Sequence, residues 1–210
     1  MGSRGQSGRY GGGGGWSAPI GTSSLISARE RKQKEVDDVL GVLRDYDDKY
    51  GVIVTDAQIG EFSGKEKHTV MGYYDGFGNV GVNINYFNSD KLTKAYEDSV
   101  KDGFHPSNGS KSAMESLIAH EMGHAVNDEL GRRMGMSMEA AADMVVKEAL
   151  KSTSHRGVVK MENAISRYAT ANNKEGIAEA FADVYCNGNR AKAESKAIVS
   201  VVDKYMLGGK

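Results

Sequence analysis

Apolar residues recur at spacings of three and four along most of the second half of the chain, with charged residues between them. Such spacing places the apolar side chains on one face of an α-helix, the face that packs against a core. The same spacing occurs once near the N-terminus, at 26–49, where Val36, Val39 and Leu43 lie among charged residues. The pattern predicts helices at 26–49, 91–100, 112–130, 136–150, 161–168, 172–186 (with Asn172 as the cap) and 191–206.

Between the first two predicted helices the pattern changes to alternation, which is typical of half-buried β-strands. Residues 80–87 alternate between apolar side chains and small or polar ones. Further strands are predicted at 52–55 and 68–74, and the glycine-rich residues 75–79 predict a hairpin turn. A helix, then a small antiparallel sheet, then more helices predict an α+β domain.

The first part of the chain of 210 residues differs from the rest in composition. It includes a run of five glycines, Gly11 to Gly15, and such a backbone gains too little burial to offset its ordering entropy. We therefore expect a flexible tail at 1–24 and a folded domain at 25–210. Residues 1–34 carry six Arg and Lys residues and one Glu. Such a basic arm is usually solvated, and docking on an acidic partner is the alternative.

The remaining composition excludes several classes of protein. The formal net charge of −1 predicts neither nucleic-acid binding nor membrane binding. Cys186 is the only cysteine, so the chain has no intrachain disulfide and no cysteine cluster for zinc. Neither a run of about 18 apolar residues nor the apolar stretch of a signal peptide is present. We expect a protein that is made and kept in the cytoplasm, unless it joins a virion or leaves by a specialised route.

One stretch carries a recognisable chemistry. His120-Glu121-Met-Gly-His124 lies inside the helix predicted at 112–130, with Gly131 as the predicted stop. Residues four apart lie one above the other on a helix, so His120 and His124 can bind one metal ion together. Glu121 lies beside them and can take a proton from a water that the metal activates. The simpler alternative is a surface helix with two solvated histidines.

A catalytic zinc ion usually has three protein ligands, so the motif supplies one too few. A third histidine at the metzincin spacing is absent. Glu175, Glu179 and Asp183 follow at intervals of four and therefore share a helix face. The spacing leaves two alternatives. Either Glu175 binds the metal and Glu179 orients a ligating histidine, or Glu179 binds the metal and Asp183 orients it.

Tyr168, Glu175 and Glu179, with Asn172 three residues before Glu175, resemble the second half of the active site in the anthrax lethal factor and Pro-Pro endopeptidase family. The resemblance covers residues 112–185. It implies a zincin-like fold of the gluzincin type, and it favours the first alternative, with Glu175 as the third zinc ligand. It also implies that Tyr168 steadies the oxyanion. The glycine-rich start followed by such a domain is more loosely similar to zincin modules of bacteriophage head-associated proteins.

We therefore expect a zinc-dependent endopeptidase, with Zn²⁺ held by His120, His124 and Glu175 and with a protein or peptide as the substrate. An extended peptide would pair with the edge of the sheet, for which residues 80–87 are the candidate strand. Two other classes are compatible with the sequence. One is a phage structural or adaptor module that keeps a zincin fold, and the other is a secreted effector toxin.

The three histidines outside the motif are given no part in the proposed chemistry. His105 and His155 lie in polar loops and are expected to face solvent, although either could reach the site as an oxyanion donor. His68 is expected to be structural.

Overall fold

The computed structural model describes residues 32–51, 54–153 and 164–208, which form six α-helices and a sheet of three strands. One helix precedes the sheet and five follow it, so the predicted α+β class is confirmed. The helices are α1 (Gln33–Tyr50), α2 (Ser89–Lys101), α3 (Ala113–Met134), α4 (Met138–Ser152), α5 (Asn173–Asn187) and α6 (Ala193–Met206), and the strands are β1 (Asp56–Gly60), β2 (Gly72–Tyr74) and β3 (Asn79–Asn83).

Parts of several predicted elements lie outside the described residues. These parts are the tail at 1–24, the beginnings of the helices predicted at 26–49 and 161–168, and the first half of the strand predicted at 52–55. Within the described residues, Tyr168–Thr170 forms a single 3₁₀ turn. No helix that the structure describes combines the length and the hydropathy needed to cross a bilayer.

The sheet is mixed, with the strand order β1-β3-β2. β1 runs parallel to β3, whereas β2 runs antiparallel to it. The prediction of an antiparallel sheet is therefore correct only for β2 and β3. β3 lies in the centre, so the prediction that residues 80–87 form the edge strand is wrong. β3 is central because β1 pairs with β3, the second strand of the hairpin, although β2 lies between them in the sequence.

The turn between β2 and β3 has the form that its sequence predicts. Asp75 Oδ1 accepts hydrogen bonds from the backbone N–H groups of Phe77 at 2.7 Å and Asn79 at 3.1 Å. Gly76 and Gly78 have φ angles of 78° and 93°, a region in which residues with a Cβ are strained. The local sequence therefore specifies the geometry of this turn.

β3 ends at Asn83, earlier than the strand predicted at 80–87. The fully buried side chain of Asn83 donates a hydrogen bond to the carbonyl of Val70 at 2.7 Å and accepts one from the backbone N–H of Asn85 at 3.0 Å. An Asn side chain that binds the backbone two residues on is typical of a turn. The chain therefore leaves the sheet at this point.

α3 carries the His-Glu-x-x-His motif and begins with a capping box. Ser112 Oγ accepts from the backbone N–H of Glu115 at 3.0 Å, and Glu115 Oε2 accepts from the backbone N–H of Ser112 at 2.8 Å. The prediction that Gly131 ends the helix is wrong, because the cap is Gly135, with a φ of 67°. A Cβ on Gly131 would lie 3.0 Å from the carbonyl oxygen of Met136, so this glycine makes room for the returning chain.

α3 lies inside the hydrophobic core, and every residue from Ser116 to Asn127 is buried. The other five helices and the sheet pack around it. Its motif therefore lies in the interior rather than on a surface helix. The apolar side predicted for this helix is buried in full: Met114, Leu117, Ile118, Val126 and Leu130.

α5 packs closely against α3 at Gly123, between the two histidines of the motif. A Cβ on Gly123 would lie 2.8 Å from Cα of Ala178 and 3.0 Å from Cβ of Phe181. These distances are too short for a side chain on residue 123. The glycine therefore sets how near the two helices can approach.

Gly123→Ala should lower the free energy of unfolding by about 1–3 kcal/mol, because the added methyl group must push α5 away from α3. Gly41→Ala is the matched control, since no atom lies within 4 Å of a Cβ at that position of α1. Alanine in a helix interior is favoured over glycine by roughly 0.5–1 kcal/mol, so the control should gain stability. Urea unfolding measures both effects, and equal stability of the two variants would contradict the close packing at Gly123.

Candidate metal centre

His120 and His124 lie one turn apart on α3, with ring centroids 4.9 Å apart. Glu175, in the first turn of α5, meets them from the neighbouring helix. Its Oε2 lies 3.2 Å from Nε2 of His120 and 3.2 Å from Nε2 of His124. Their ligand atoms all lie within 4.8 Å of one another, and no other group of three or more His, Cys, Asp or Glu in the described chain could hold a metal ion.

The facing atoms of this cluster are buried and make no hydrogen bond within the described chain. Nε2 of His120, Nε2 of His124 and Oε2 of Glu175 have no hydrogen-bond partner among the described residues. Such orphaned groups are rare in folded proteins, because their lost hydration is not replaced. Two imidazole nitrogens and a carboxylate oxygen are typical zinc donors, and tetrahedral ligands about 2.0–2.1 Å from zinc lie roughly 3.3 Å apart. The observed separations of 3.2 Å therefore fit a zinc ion.

The charges of the cluster also suit a cation. Burial alone would raise the pKa of Glu175, but His124 and His120 outweigh it and lower that pKa to about 2. Burial lowers the pKa of His124 and so favours the neutral ring, whose lone pair can bind a metal. For His120, burial is outweighed by Glu175 and Glu179, which raise its pKa well above the usual value. A metal ion would displace a proton at that ring.

The start of α5 places Glu175 opposite the histidines. Asn172, the predicted cap, accepts a hydrogen bond from the backbone N–H of Glu175 at 3.0 Å, which confirms the predicted cap. The first turn of a helix is also where its dipole favours a carboxylate. The local sequence therefore positions this side chain, while the packing of α5 on α3 brings it to its partners.

Glu179, one turn after Glu175, lies behind His120. Its Oε1 is 2.8 Å from Nδ1 of His120, and its Oε2 accepts a hydrogen bond from Ser166 Oγ at 2.6 Å. Burial alone would raise the pKa of Glu179, but His105 and His120 hold it well below its usual range. An ionised Glu179 requires a proton on Nδ1 of His120, so the ring has its lone pair on Nε2 whenever it is neutral.

This arrangement corresponds to the first of the two alternatives that the spacing allows. Glu175 faces both histidines of the motif, and Glu179 contacts the opposite side of one ring. Asp183 lies a further turn on and accepts hydrogen bonds from Asn187 Nδ2 and from the backbone N–H of Lys192, each at 2.9 Å. Asp183 therefore holds the end of α5 and the start of α6.

Glu121 is fully buried, and both of its carboxylate oxygens lack a hydrogen-bond partner among the described residues. Burial raises its pKa to about 8, although the nearby charge of His120 opposes that shift. β2 covers this side chain, since a Cβ on Gly72 would lie 3.1 Å from Glu121 Oε1. The carboxylate thus lies in a confined, buried environment beside other ionisable groups, which favours its protonated form.

Tyr168 is 6 % exposed, and its ring stacks on that of His120 at a centroid distance of 5.8 Å. The ring also contacts those of Phe104, at 5.0 Å, and His105, at 5.5 Å. Burial, together with Glu175 and Glu121, raises the pKa of Tyr168 well above its usual value. The Tyr168 phenol therefore keeps its proton beside the cluster of His120, His124 and Glu175.

The prediction that His105 faces solvent is wrong, because its side chain is buried and contacts Glu179. The loop that carries it is held inward, since the backbone N–H of Arg167 donates to the carbonyl of Gly103 at 2.9 Å. The ring stacks on Tyr96 at 5.4 Å. A lone histidine in a polar loop carries no local signal of these contacts, which join segments distant in the sequence.

The other residues outside the motif have simpler roles. His68, predicted to be structural, has an exposed side chain, and its carbonyl accepts a hydrogen bond from the Tyr86 hydroxyl at 2.8 Å. His155 lies outside the described residues. Ser166, which donates to Glu179, was not anticipated, because a single serine within the predicted helix at 161–168 carries no pattern that points to a distant carboxylate. Comparison of the chain with protein-family models, with curated proteins and with solved structures found no significant match.

Glu175→Ala should weaken zinc binding far more than Glu179→Ala does, because the first substitution removes a ligand and the second removes an orienting partner. Loss of an orienting partner typically weakens metal affinity by roughly 10- to 100-fold. Asp183→Asn is the control and should keep the affinity of the wild type. Competition with a chromophoric chelator measures these dissociation constants. The reverse order, with Glu179→Ala the most damaging and Asp183→Asn also weakened, would contradict the arrangement described above.

Proposed function

We propose that the protein is a zinc-dependent endopeptidase of the gluzincin type with a zincin-like fold. The observation that carries the proposal is the convergence of His120, His124 and Glu175 on one point beside the buried carboxylate of Glu121. The resemblance to the anthrax lethal factor and Pro-Pro endopeptidase family supports it. In that family a glutamate at the position of Glu175 completes the metal site, and a tyrosine at the position of Tyr168 faces it.

His120 and His124 would hold the zinc ion through Nε2, and Glu175 through a carboxylate oxygen. A zinc ion bound in this way supplies Lewis acidity, which lowers the pKa of a water molecule and polarises a carbonyl group. Glu179 contributes by holding the proton of His120 on Nδ1, so that Nε2 of that ring keeps its lone pair.

Glu121 is the proposed general base. In peptide hydrolysis the water oxygen bonds to the carbonyl carbon, the C–N bond breaks, and a proton passes from the water to the leaving nitrogen. Either oxygen of Glu121 can carry that proton, since neither has a partner in the described chain. With no metal ion bound its pKa is about 8, and a zinc ion beside it would lower that pKa toward neutral pH, where a group accepts and returns a proton most efficiently.

Tyr168 is the proposed donor to the substrate carbonyl. Negative charge develops on that oxygen as the water attacks, and a fixed hydrogen-bond donor stabilises the charge. Because its pKa is raised, the phenol is protonated throughout the pH range in which Glu121 can act. Stacking on His120 keeps the ring next to the metal cluster.

The proposed substrate is an extended segment of a protein or peptide that pairs with β2. β2 is an edge strand, and Gly72 lies directly against Leu117 and Glu121 of α3. An edge strand offers unpaired backbone groups to an incoming chain. A peptide paired with β2 would pass close to Glu121. β3 cannot accept a further strand, because it is already paired on both sides.

Glu121→Gln should retain zinc and lose peptide hydrolysis by roughly 10²- to 10⁴-fold, because glutamine keeps the shape of the side chain but cannot accept the proton. Glu139→Gln is the matched control, since the Glu139 side chain is 63 % exposed, and it should retain both properties. Native mass spectrometry measures the zinc stoichiometry, and cleavage of a peptide library measures the activity.

Retention of zinc without peptide cleavage in the wild type and in both variants would contradict the endopeptidase proposal. That result would leave a structural or adaptor module that is stabilised by the metal. Failure of the wild type to bind zinc would contradict the metal centre itself.

A further inference from the structure

The candidate metal centre is built from residues of α3 and α5. His105 approaches it from the loop between α2 and α3. Its Nδ1 lies 2.9 Å from Oε1 of Glu179, and Nδ1 of His120 lies 2.8 Å from the same oxygen. We infer that His105 is a positioning residue of the metal centre, which fixes the Glu179 carboxylate and, through it, the ring of His120. The inference rests on the proposed function, because it assigns His105 a part in holding a metal ligand.

The direction of these hydrogen bonds follows from the chemistry of the acceptor. An ionised carboxylate can only accept hydrogen bonds, so each nitrogen that faces it must carry a proton. Both His105 and His120 are therefore protonated on Nδ1. The other ring nitrogen of His105, Nε2, is buried and has no hydrogen-bond partner among the described residues. The contact with Glu179 is thus the polar interaction that accounts for a histidine at this buried position.

The two oxygens of Glu179 are held from different sides. Ser166 donates to Oε2 at 2.6 Å, while His105 and His120 share Oε1. Without the N–H of His105, Oε1 keeps only the donor that it is meant to orient. Only Ser166 then fixes the carboxylate from outside the metal site, so the orientation of Oε1, and with it that of the His120 ring, is less tightly held.

His105 is itself held by rings on several sides. It lies parallel to Tyr96, with an interplanar angle of 6°, and nearly perpendicular to Phe104 at 88° and to Tyr168 at 83°. The backbone N–H of Tyr168 also donates to the carbonyl of Phe104 at 3.1 Å. The ring therefore has a packing role as well as a donor role, and a test must separate the two.

Two substitutions separate donation from packing. His105→Asn keeps an N–H donor close to the position of Nδ1 but removes the ring, whereas His105→Phe keeps a ring but removes the donor. Zinc affinity should fall by about 10-fold or more in His105→Phe, and His105→Asn should recover most of that loss. His68→Phe, at an exposed histidine, is the matched control and should bind zinc as the wild type does.

The opposite order would overturn the inference, because a residue that acts only through packing should tolerate Phe better than Asn. Equal affinity of the wild type and both variants would also overturn it. If the wild type binds no zinc, the proposed function itself has failed. If the wild type binds zinc and His105→Phe binds it equally well, only the inference about His105 has failed.

An independent measurement needs no substitution at His105. In the zinc-loaded wild type, long-range ¹H–¹⁵N correlation of the imidazole groups should place a proton on Nδ1 of both His105 and His120. Assignment of the His105 proton to Nε2 alone would overturn the inference, because such a ring could not donate to Glu179. This readout remains decisive even if one of the variants fails to fold.

Discussion

The close approach of α3 and α5 at Gly123 is the constraint on which the proposed metal centre depends. His120 and His124 flank this glycine on one helix, and Ala178 lies against it on the other. A side chain at residue 123 would separate the helices, and Glu175 would move away from both imidazole rings. Contacts of 3.2 Å leave little tolerance for such a shift. The motif therefore includes a residue that carries no chemistry but sets the distance between the two halves of the site.

The cluster places ionisable groups in an apolar core, where each of them destabilises the fold unless it is compensated. Glu179 is compensated by three donors and remains ionised, which suits a group that orients a ligand. Glu121 has no such donor among the described residues, and its raised pKa suits a group that carries a proton. Neighbouring carboxylates thus acquire pKa shifts in opposite directions from their environments. The buried ionisable side chains in and around the candidate metal centre are His105, His120, Glu121, His124, Glu175 and Glu179.

The predictable parts of this structure are those that depend on local spacing. Helical periodicity predicts both the helix that carries the motif and α5, the helix that carries Glu175. The Asn172 cap places Glu175 in the first turn of α5. The order of the strands was not predictable, because β1 pairs with a strand that does not follow it. Gly131 could not be distinguished from a residue that ends a helix. The segment that packs against Gly131 follows the observed helix cap, and local spacing does not show that contact. His105 was missed for the same physical reason, because its contacts with Tyr96 and Glu179 join distant segments.

The metal centre is tested most directly by a crystal structure of the zinc-loaded protein with data collected at the zinc absorption edge. Anomalous scattering locates the ion without any assumption about its ligands. One peak is predicted at about 2.0–2.2 Å from Nε2 of His120, Nε2 of His124 and a carboxylate oxygen of Glu175. A zinc-loaded protein with no peak at that position, or with Glu179 bound in place of Glu175, would contradict the metal centre proposed for this fold.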